Sequence, residues 1–228
     1  MSNLCIITAR GGSKRIPRKN IRSFLGKPII GYSIEAALSS GVFDEVMVST
    51  DDEEISEVSR SFGASVPFLR SEATSNDYAT TADVLNEVLD EYEKRGKTFD
   101  FFSCVYPTAP FVTGEKLKAA MEALAASDAD SIRTVVQYSY PPQRAFIEKN
   151  GVLSYQYPQY YRSRSQDLEP IYHDCGQFYI YRTTSFREFG DAGKMLPIVM
   201  PEEETQDIDN YSDWDLAEVK YKKFILKE

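Results

Sequence analysis

Leu4-Cys-Ile-Ile-Thr-Ala-Arg10-Gly-Gly-Ser-Lys14-Arg-Ile-Pro-Arg-Lys19-Asn20 reads as a short buried strand running straight into a basic loop. Working outward, the following segments repeat that grammar. After Pro28, apolar residues at Ile29, Ile30, Ile34, Ala37 and Leu38 recur at helical spacing, and Gly41 is suited to stop the helix. Glu45-Val-Met-Val-Ser-Thr predicts a second strand, ending at Asp51-Asp52, which can cap a helix through Phe62. Ala64-Ser-Val-Pro-Phe-Leu predicts a short third strand. A helix beginning at Thr80-Thr-Ala-Asp carries Val84, Leu85, Val88, Leu89 and Tyr92 on one side. Phe101-Phe-Ser-Cys-Val-Tyr predicts an apolar strand, followed by a helix from Gly114 to about Ser127 and a further strand at Ser131-Ile-Arg-Thr-Val-Val.

This alternation over the first 137 residues argues for the α/β class, with a Rossmann-like, mostly parallel sheet and helices on both faces. Ligands of such sheets bind at the carboxyl ends of strands, near a switch in strand order. The loops to search are therefore Arg10 to Asn20, Thr50 to Asp52, and Pro107 to Phe111. The segment from Tyr138 to Tyr172 breaks the pattern. It holds six tyrosines between positions 138 and 161, a Pro-Pro pair and a hairpin-like Lys149-Asn-Gly-Val turn. It reads as a β-rich excursion from a single 1–228 domain, enriched in residues that make interfaces, which suggests a homodimer. A lid packed on its own subunit is the competing reading.

At 228 residues the chain can bury a substantial core, and its 42% hydrophobic and 27% charged residues are those of an ordinary globular protein. No apolar run approaches the roughly 18 residues needed to span a bilayer. The N-terminus enters the first strand without a basic, apolar leader, so the expected location is the cytoplasm. Cys5, Cys104 and Cys175 are far apart, which supports neither a disulfide framework nor a zinc site. His173 is the single histidine. A net charge of −9 argues against general affinity for nucleic acid.

The distribution of charge says more than its sum. Residues 10 to 27 hold seven basic residues and no acid, while residues 201 to 218 hold eight acids and no base. The first region suits an anion. Gly11 and Gly12 follow a strand directly, so backbone N–H groups could approach a phosphate, with Ser13 as a further neutral donor. Arg10, Lys14 and Lys19 would add charge-assisted bonds to a polyphosphate. Neither GxxxxGK[ST] nor GxGxxG is present, so this is not a generic P-loop or dinucleotide fingerprint. The second region suits a cation. In an extended Gln206-Asp-Ile-Asp-Asn, Asp207 and Asp209 project to the same side, a spacing that fits a hard ion such as Mg²⁺ shared with substrate phosphates. Two solvated surface charge runs are the plainer alternative.

Thr8-Ala-Arg-Gly-Gly-Ser-Lys-Arg-Ile-Pro-Arg-Lys-Asn-Ile, together with Leu25-Gly-Lys-Pro-Ile-Ile-Gly-Tyr-Ser-Ile-Glu-Ala-Ala, resembles the opening of the CMP-acylneuraminate synthetase family. Val48-Ser-Thr-Asp-Asp-Glu-Glu-Ile, Phe68-Leu-Arg-Ser-Glu, Tyr106-Pro-Thr-Ala-Pro-Phe and Ile208-Asp continue the likeness in order over nearly the whole chain. His173-Asp-Cys-Gly-Gln-Phe-Tyr and the Tyr106 motif resemble the bacterial branch that acts on pseudaminic acid. The resemblance implies a nucleotidyltransferase type A-like fold and a Mg²⁺-dependent transfer of CMP from CTP to an acidic nine-carbon sugar. It further implies that Arg10, Ser13, Lys14, Lys19 and Asn20 contact CTP, that Arg70 and Thr80 or Thr81 lie near cytosine or ribose, and that Asp207 and Asp209 hold the metal. Gly176, Gln177 and Phe178 fall where the family lines its sugar pocket. Arg144, Arg162 and Arg164 are candidates to reach a partner subunit's sugar carboxylate. Tyr106 stands where sialic acid enzymes commonly carry a glutamine that touches the sugar, a departure that argues against N-acetylneuraminate itself; legionaminate, N-acetylneuraminate and 3-deoxy-manno-octulosonate are the alternative acceptors. A non-catalytic nucleotide-binding regulator is the alternative from a different class.

Overall fold

The computed structural model describes residues 1–228. Strand β1 (Asn3–Thr8) leads through the basic loop and a 3-10 turn at Lys19–Ile21 to a two-residue hairpin, β2 (Ser23–Phe24) and β3 (Lys27–Pro28). Helix α1 (Ile29–Ser40) follows and ends on Gly41 at φ +67°, a left-handed conformation that favours glycine. Strand β4 (Glu45–Ser49) feeds α2 (Glu53–Ser61), whose first turn is capped by Asp52 accepting from the Ile55 N–H at 3.0 Å. After the short α3 (Glu72–Ser75), α4 (Thr81–Lys94) starts with a reciprocal capping box between Thr80 and Asp83. Then come β5 (Phe101–Val105), α5 (Gly114–Ala125) and β6 (Ser131–Gln137). The hairpin β7 (Phe146–Lys149) and β8 (Val152–Tyr155) precedes the long β9 (Tyr172–Arg182), α6 (Thr183–Phe189), β10 (Met195–Val199) and α7 (Tyr211–Lys220).

The main sheet has the order β10-β6-β9-β5-β1-β4. All of its strands run parallel except β9, which is antiparallel to both neighbours. One face is covered by α1, α2 and α5 through Ile30, Ile34, Ile55, Leu117 and Leu124. The other is covered by α4 and α6 through Leu85, Val88, Leu89, Tyr92 and Phe186. Alternate residues of β1 serve the two faces, Cys5 and Ile7 on one and Leu4 and Ile6 on the other. Because the chain passes from β1 to β4 on one side and then to β5 on the other, the order switches at β1. Its carboxyl end is the place where ligands of such sheets lodge.

The third expected strand, at Ala64 to Leu69, does not form as an element. Only Ser65 pairs, with Met47, giving to the Val46 carbonyl at 2.8 Å and receiving from Val48 at 2.9 Å. Pro67 lacks the N–H needed to extend that ladder. Within the excursion β7 and β8 form a hairpin, turning on Asn150 and Gly151 at φ +53° and +80°. It leaves Tyr140, Phe146, Val152 and Leu153 exposed. The three cysteines are free and buried, and no helix is long and apolar enough to cross a membrane.

A third, smaller cluster decides where the site sits. Ile16 of the basic loop, Phe24, Ile29, Phe111 and Trp214 pack around Ile208, which lies between the two acids. Ile16 and Ile208 are both fully buried, and burying one such side chain stabilises by about 1.5–3 kcal/mol. The hydrophobic effect thus ties residues 16 and 208 together although they are far apart in the chain.

Candidate functional site

Pinning Ile208 inward forces its neighbours Asp207 and Asp209 outward, as the alternation of an extended segment requires. They emerge on the wall of a cleft of about 540 Å³ at the carboxyl end of β1. Arg10, Ser13, Lys14, Lys19 and Asn20 line the same cleft, as do Arg70, Thr80, Thr81 and Tyr106. The basic loop and the acidic segment are therefore in contact. Arg15 pairs with Asp209 at 2.7 Å, and the Lys19 ammonium donates to the Ile208 carbonyl at 2.6 Å. Burial holds the Lys19 ammonium below its ordinary range, against the opposing pull of Asp209 and Asp207.

The carboxylates differ in their surroundings. One Asp209 oxygen is taken by Arg15, whereas the Asp207 carboxylate forms no ion pair or side-chain hydrogen bond. Asp207 reaches solvent, yet the cleft walls strip enough water from it to push its carboxyl above the ordinary range, and Asp209 adds to the effect. No ready-made cage of three or more His, Cys, Asp or Glu side chains exists in the chain. Two hard oxygen donors, one of them poorly neutralised, match the coordination of Mg²⁺, which completes its shell with water and phosphate oxygens.

Several expected donors have other duties. Gly11 gives its N–H to Asp51 at 2.8 Å, and a Cβ there would meet the Asp52 carboxylate at 2.8 Å. The acids beneath the loop thus leave no room for a side chain at position 11, and Gly11 and Gly12 are absent from the cleft lining. Asn20 is buried and donates to the Arg10 carbonyl at 2.9 Å, which fixes the bend of the loop. Arg70, also buried, anchors its guanidinium on Ser49 through bonds of 3.0 and 2.7 Å. The Thr80 hydroxyl is engaged by Asp83. Arg10 and Lys14 both bond the carboxylate of Asp77, at 2.9 and 2.5 Å. Asp77 was not foreseen from the sequence. It sits in a polar stretch, Ser75-Asn-Asp-Tyr, that carries no pattern linking it to a loop more than sixty residues away.

A second cleft, of about 500 Å³, adjoins the first and shares Asp207 with it. His173, Asp174, Cys175, Gly176, Thr205 and Lys220 contribute to its walls. Of the three β9 residues expected beside a sugar, Gly176 lines this cleft. Gln177 is buried behind it, its Oε1 without a partner. Phe178 is a correction: its side chain is fully buried in the core with Ile180 and Val105 and lines neither cleft. Arg144, Arg162 and Arg164 stand on the excursion away from both clefts. Arg144 reaches Ser165, Arg162 lies over Tyr161 and Arg164 pairs with Asp167.

Comparison with known proteins gives a consistent answer. The family model described as cytidylyltransferase matches residues 4–214. The chain is 43% identical over 226 residues to a pseudaminic acid cytidylyltransferase of Campylobacter jejuni, covering 97% of each chain. It is 35% identical to a CMP-N,N'-diacetyllegionaminic acid synthase of Legionella pneumophila, over 96% of this chain and 95% of that one. Among solved structures, a CMP:2-keto-3-deoxy-manno-octonic acid synthetase complexed with CTP superposes with a TM-score of 0.69 over 96% of this chain and 98% of that one. At 18% identity that likeness speaks for the fold alone. From a family match over most of the sequence and relatives this similar along nearly their full lengths, one conclusion follows: the chain belongs to the cytidylyltransferase family.

Proposed function

We propose that this enzyme transfers CMP from CTP to the anomeric hydroxyl of a nine-carbon 2-keto sugar acid, with pseudaminic acid as the preferred acceptor. The observation that carries the reading is the shared cleft, with Arg10, Lys14 and Lys19 on one wall and Asp207 and Asp209 on the other. A triphosphate needs the first set and the cation that accompanies it needs the second. The adjoining cleft at Gly176 and Asp174 is then the place for the sugar, with Asp207 between the two substrates. The similarity to pseudaminic acid cytidylyltransferases at 43% identity supports the choice of sugar.

In this reading the sugar oxygen forms a bond to the α-phosphorus as the bond to the β-phosphate oxygen breaks, releasing pyrophosphate. The hydroxyl proton leaves to solvent or to a base. In-line transfer of this kind depends on positioning and charge stabilisation. Lys14 and Lys19 would hold the phosphates, Arg10 would orient them, and Arg70, Thr80 and Thr81, in the lining of the same cleft, would meet the nucleoside. Asp207 and Asp209 would hold a Mg²⁺ ion. When bound, that ion withdraws charge from the α-phosphate and the departing pyrophosphate. The exposed Tyr-rich excursion supports a homodimer in which Arg144, Arg162 or Arg164 reaches the partner's sugar carboxylate. A cytoplasmic location follows from the need for CTP.

The test is incubation with CTP, Mg²⁺ and a panel of pseudaminic, legionaminic, N-acetylneuraminic and 3-deoxy-manno-octulosonic acids, with the product read by mass. CMP-pseudaminate in excess of the others is expected. No CMP-sugar from any acid would end the proposal.

A further inference from the structure

Between β6 and β9 the pairing slips. Arg133 faces Tyr179, but Val135 already faces Asp174, so a single residue of β6, Thr134, spans residues 175–178 of β9. A bulge of this size loses ladder hydrogen bonds and needs side chains to hold its shape. Thr134 supplies one, its hydroxyl donating to the Phe178 carbonyl at 3.0 Å and accepting from the Phe178 N–H at 3.3 Å, and Asp174 supplies the other. Its Oδ1 accepts from the Gly176 N–H at 2.8 Å and from the Tyr179 hydroxyl at 2.8 Å. Its Oδ2 is braced by Arg133 at 3.3 Å, and Arg133 also pairs with Asp191, which accepts from the Tyr181 hydroxyl at 2.6 Å.

Each bond leads to a different cleft. The first fixes Gly176, held at φ +61°, in the wall of the second cleft. The other fixes Tyr179, whose ring meets Tyr106 edge-on with centroids 5.7 Å apart, and Tyr106 lines the first cleft. The two branches close on each other. A Cβ on Gly176 would lie 3.6 Å from the Tyr106 ring, and the Tyr106 N–H donates to the Gln177 carbonyl at 3.0 Å. Tyr106 and the His173-Asp-Cys-Gly stretch are distant in sequence but form one mechanical unit.

We propose that Asp174, which stands in the cleft wall but has its carboxylate engaged by Gly176, Tyr179 and Arg133, is a positioning residue that sets the shape of the acceptor site, and through it the selectivity between stereoisomeric nine-carbon acids. The inference rests on the reading that the second cleft takes the sugar. Losing a charged hydrogen-bond acceptor that supports two groups at once costs about tenfold or more in the parameter it controls. Asp174→Ala is therefore expected to raise KM for the sugar acid about tenfold while KM for CTP stays within about twofold. The preference between pseudaminic and legionaminic acids should narrow in the same variant. Asp174→Asn keeps an acceptor oxygen and should recover most of the loss. Tyr179→Phe removes one donor, keeps the ring, and should raise sugar KM severalfold, which serves as the test if Asp174→Ala does not fold. Gln206 also lines the second cleft, and Gln206→Trp, which puts a larger side chain there, is the control. If it raises sugar KM while Asp174→Ala and Tyr179→Phe do not, the role of Asp174 is overturned and the reading of the cleft stands. If none of the three variants moves sugar KM, the second cleft is not the acceptor site and both readings fall. Equal rises in both KM values after Asp174→Ala would show a general structural role and also overturn the proposal.

Discussion

Across the first cleft, the loop after β1 and the segment before α7 carry opposite charge, and the chain neutralises them to different extents. Arg10 and Lys14 share Asp77, Arg15 has Asp209, and Arg18 is held by Asp52 and Glu54. On the other side Asp207 has no cationic partner in hydrogen-bond range, and its environment disfavours its charge. Arg10, Lys14 and Arg15 are thus covered by carboxylates that another anion can replace, while Lys19 is held by the Ile208 carbonyl. The Asp207 carboxylate has no such cover. An anion entering this cleft exchanges one set of ion pairs for another, whereas a cation entering it relieves a repulsion.

The largest break in that comparison comes from removing the acidic side. The Asp207→Ala, Asp209→Ala double variant is expected to lose about 10³-fold or more in pyrophosphate release. Its melting temperature should change little, because the fold raises the Asp207 pKa and so does not gain from its ionised form, and the Arg15–Asp209 pair that is also lost is exposed and weak. A steep drop in melting temperature alongside the loss of turnover would make the pair structural.

A smaller effect sharpens the other side. Asp77→Asn keeps the size of the side chain but frees Arg10 and Lys14, and should tighten CTP binding about threefold to tenfold at low salt, with the gain shrinking as salt is added. Calorimetric titration at two salt concentrations reads this directly. Weaker binding would mean that Asp77 assists the nucleotide instead of competing with it.

The smallest effect concerns the support beneath the loop. The hydrogen bond from Arg18 and the backbone N–H groups at the start of α2 hold the Asp52 carboxyl below its usual range. A depressed carboxylate pKa contributes stability that is present above the unfolded value, about 3.9, and is lost as pH falls through the folded value. Asp52→Ala also removes a helix cap worth about 1 kcal/mol. The gap in melting temperature between the parent and Asp52→Ala should therefore be constant from about pH 6 to 8 and narrow below about pH 4. A gap that does not change with pH would remove the ion pair from the account.

Much of this arrangement is legible in the sequence because it is local. The apolar run of β1, the helical spacing after Pro28, the Asp52 and Thr80 caps and the Asn150-Gly151 turn are all written in neighbouring residues. The segregated charges of residues 10 to 27 and 201 to 218 likewise announce a site with two signs. What escapes is whatever depends on distant partners. Phe178 is placed in the sugar site by the resemblance alone, but in β9 it pairs with Val105 of β5 and its side chain joins the core. Gly11 reads as a phosphate cradle because nothing in its own loop reveals that Asp51 and Asp52 pack beneath it. Asp77 and Asp174 are plain acids until the fold brings them to Arg10, Lys14, Tyr179 and Gly176.

If the two sides of the cleft act on one bound nucleotide, the metal and the carboxylates must be coupled through CTP. The direct measurement is the affinity for CTP with and without Mg²⁺, in the parent and in the Asp207→Ala, Asp209→Ala variant. Mg²⁺ should tighten CTP binding to the parent by about tenfold or more and leave the variant's affinity unchanged. An equal Mg²⁺ enhancement in both proteins would contradict the account, because the acids across from the basic loop would then have no part in holding the ion.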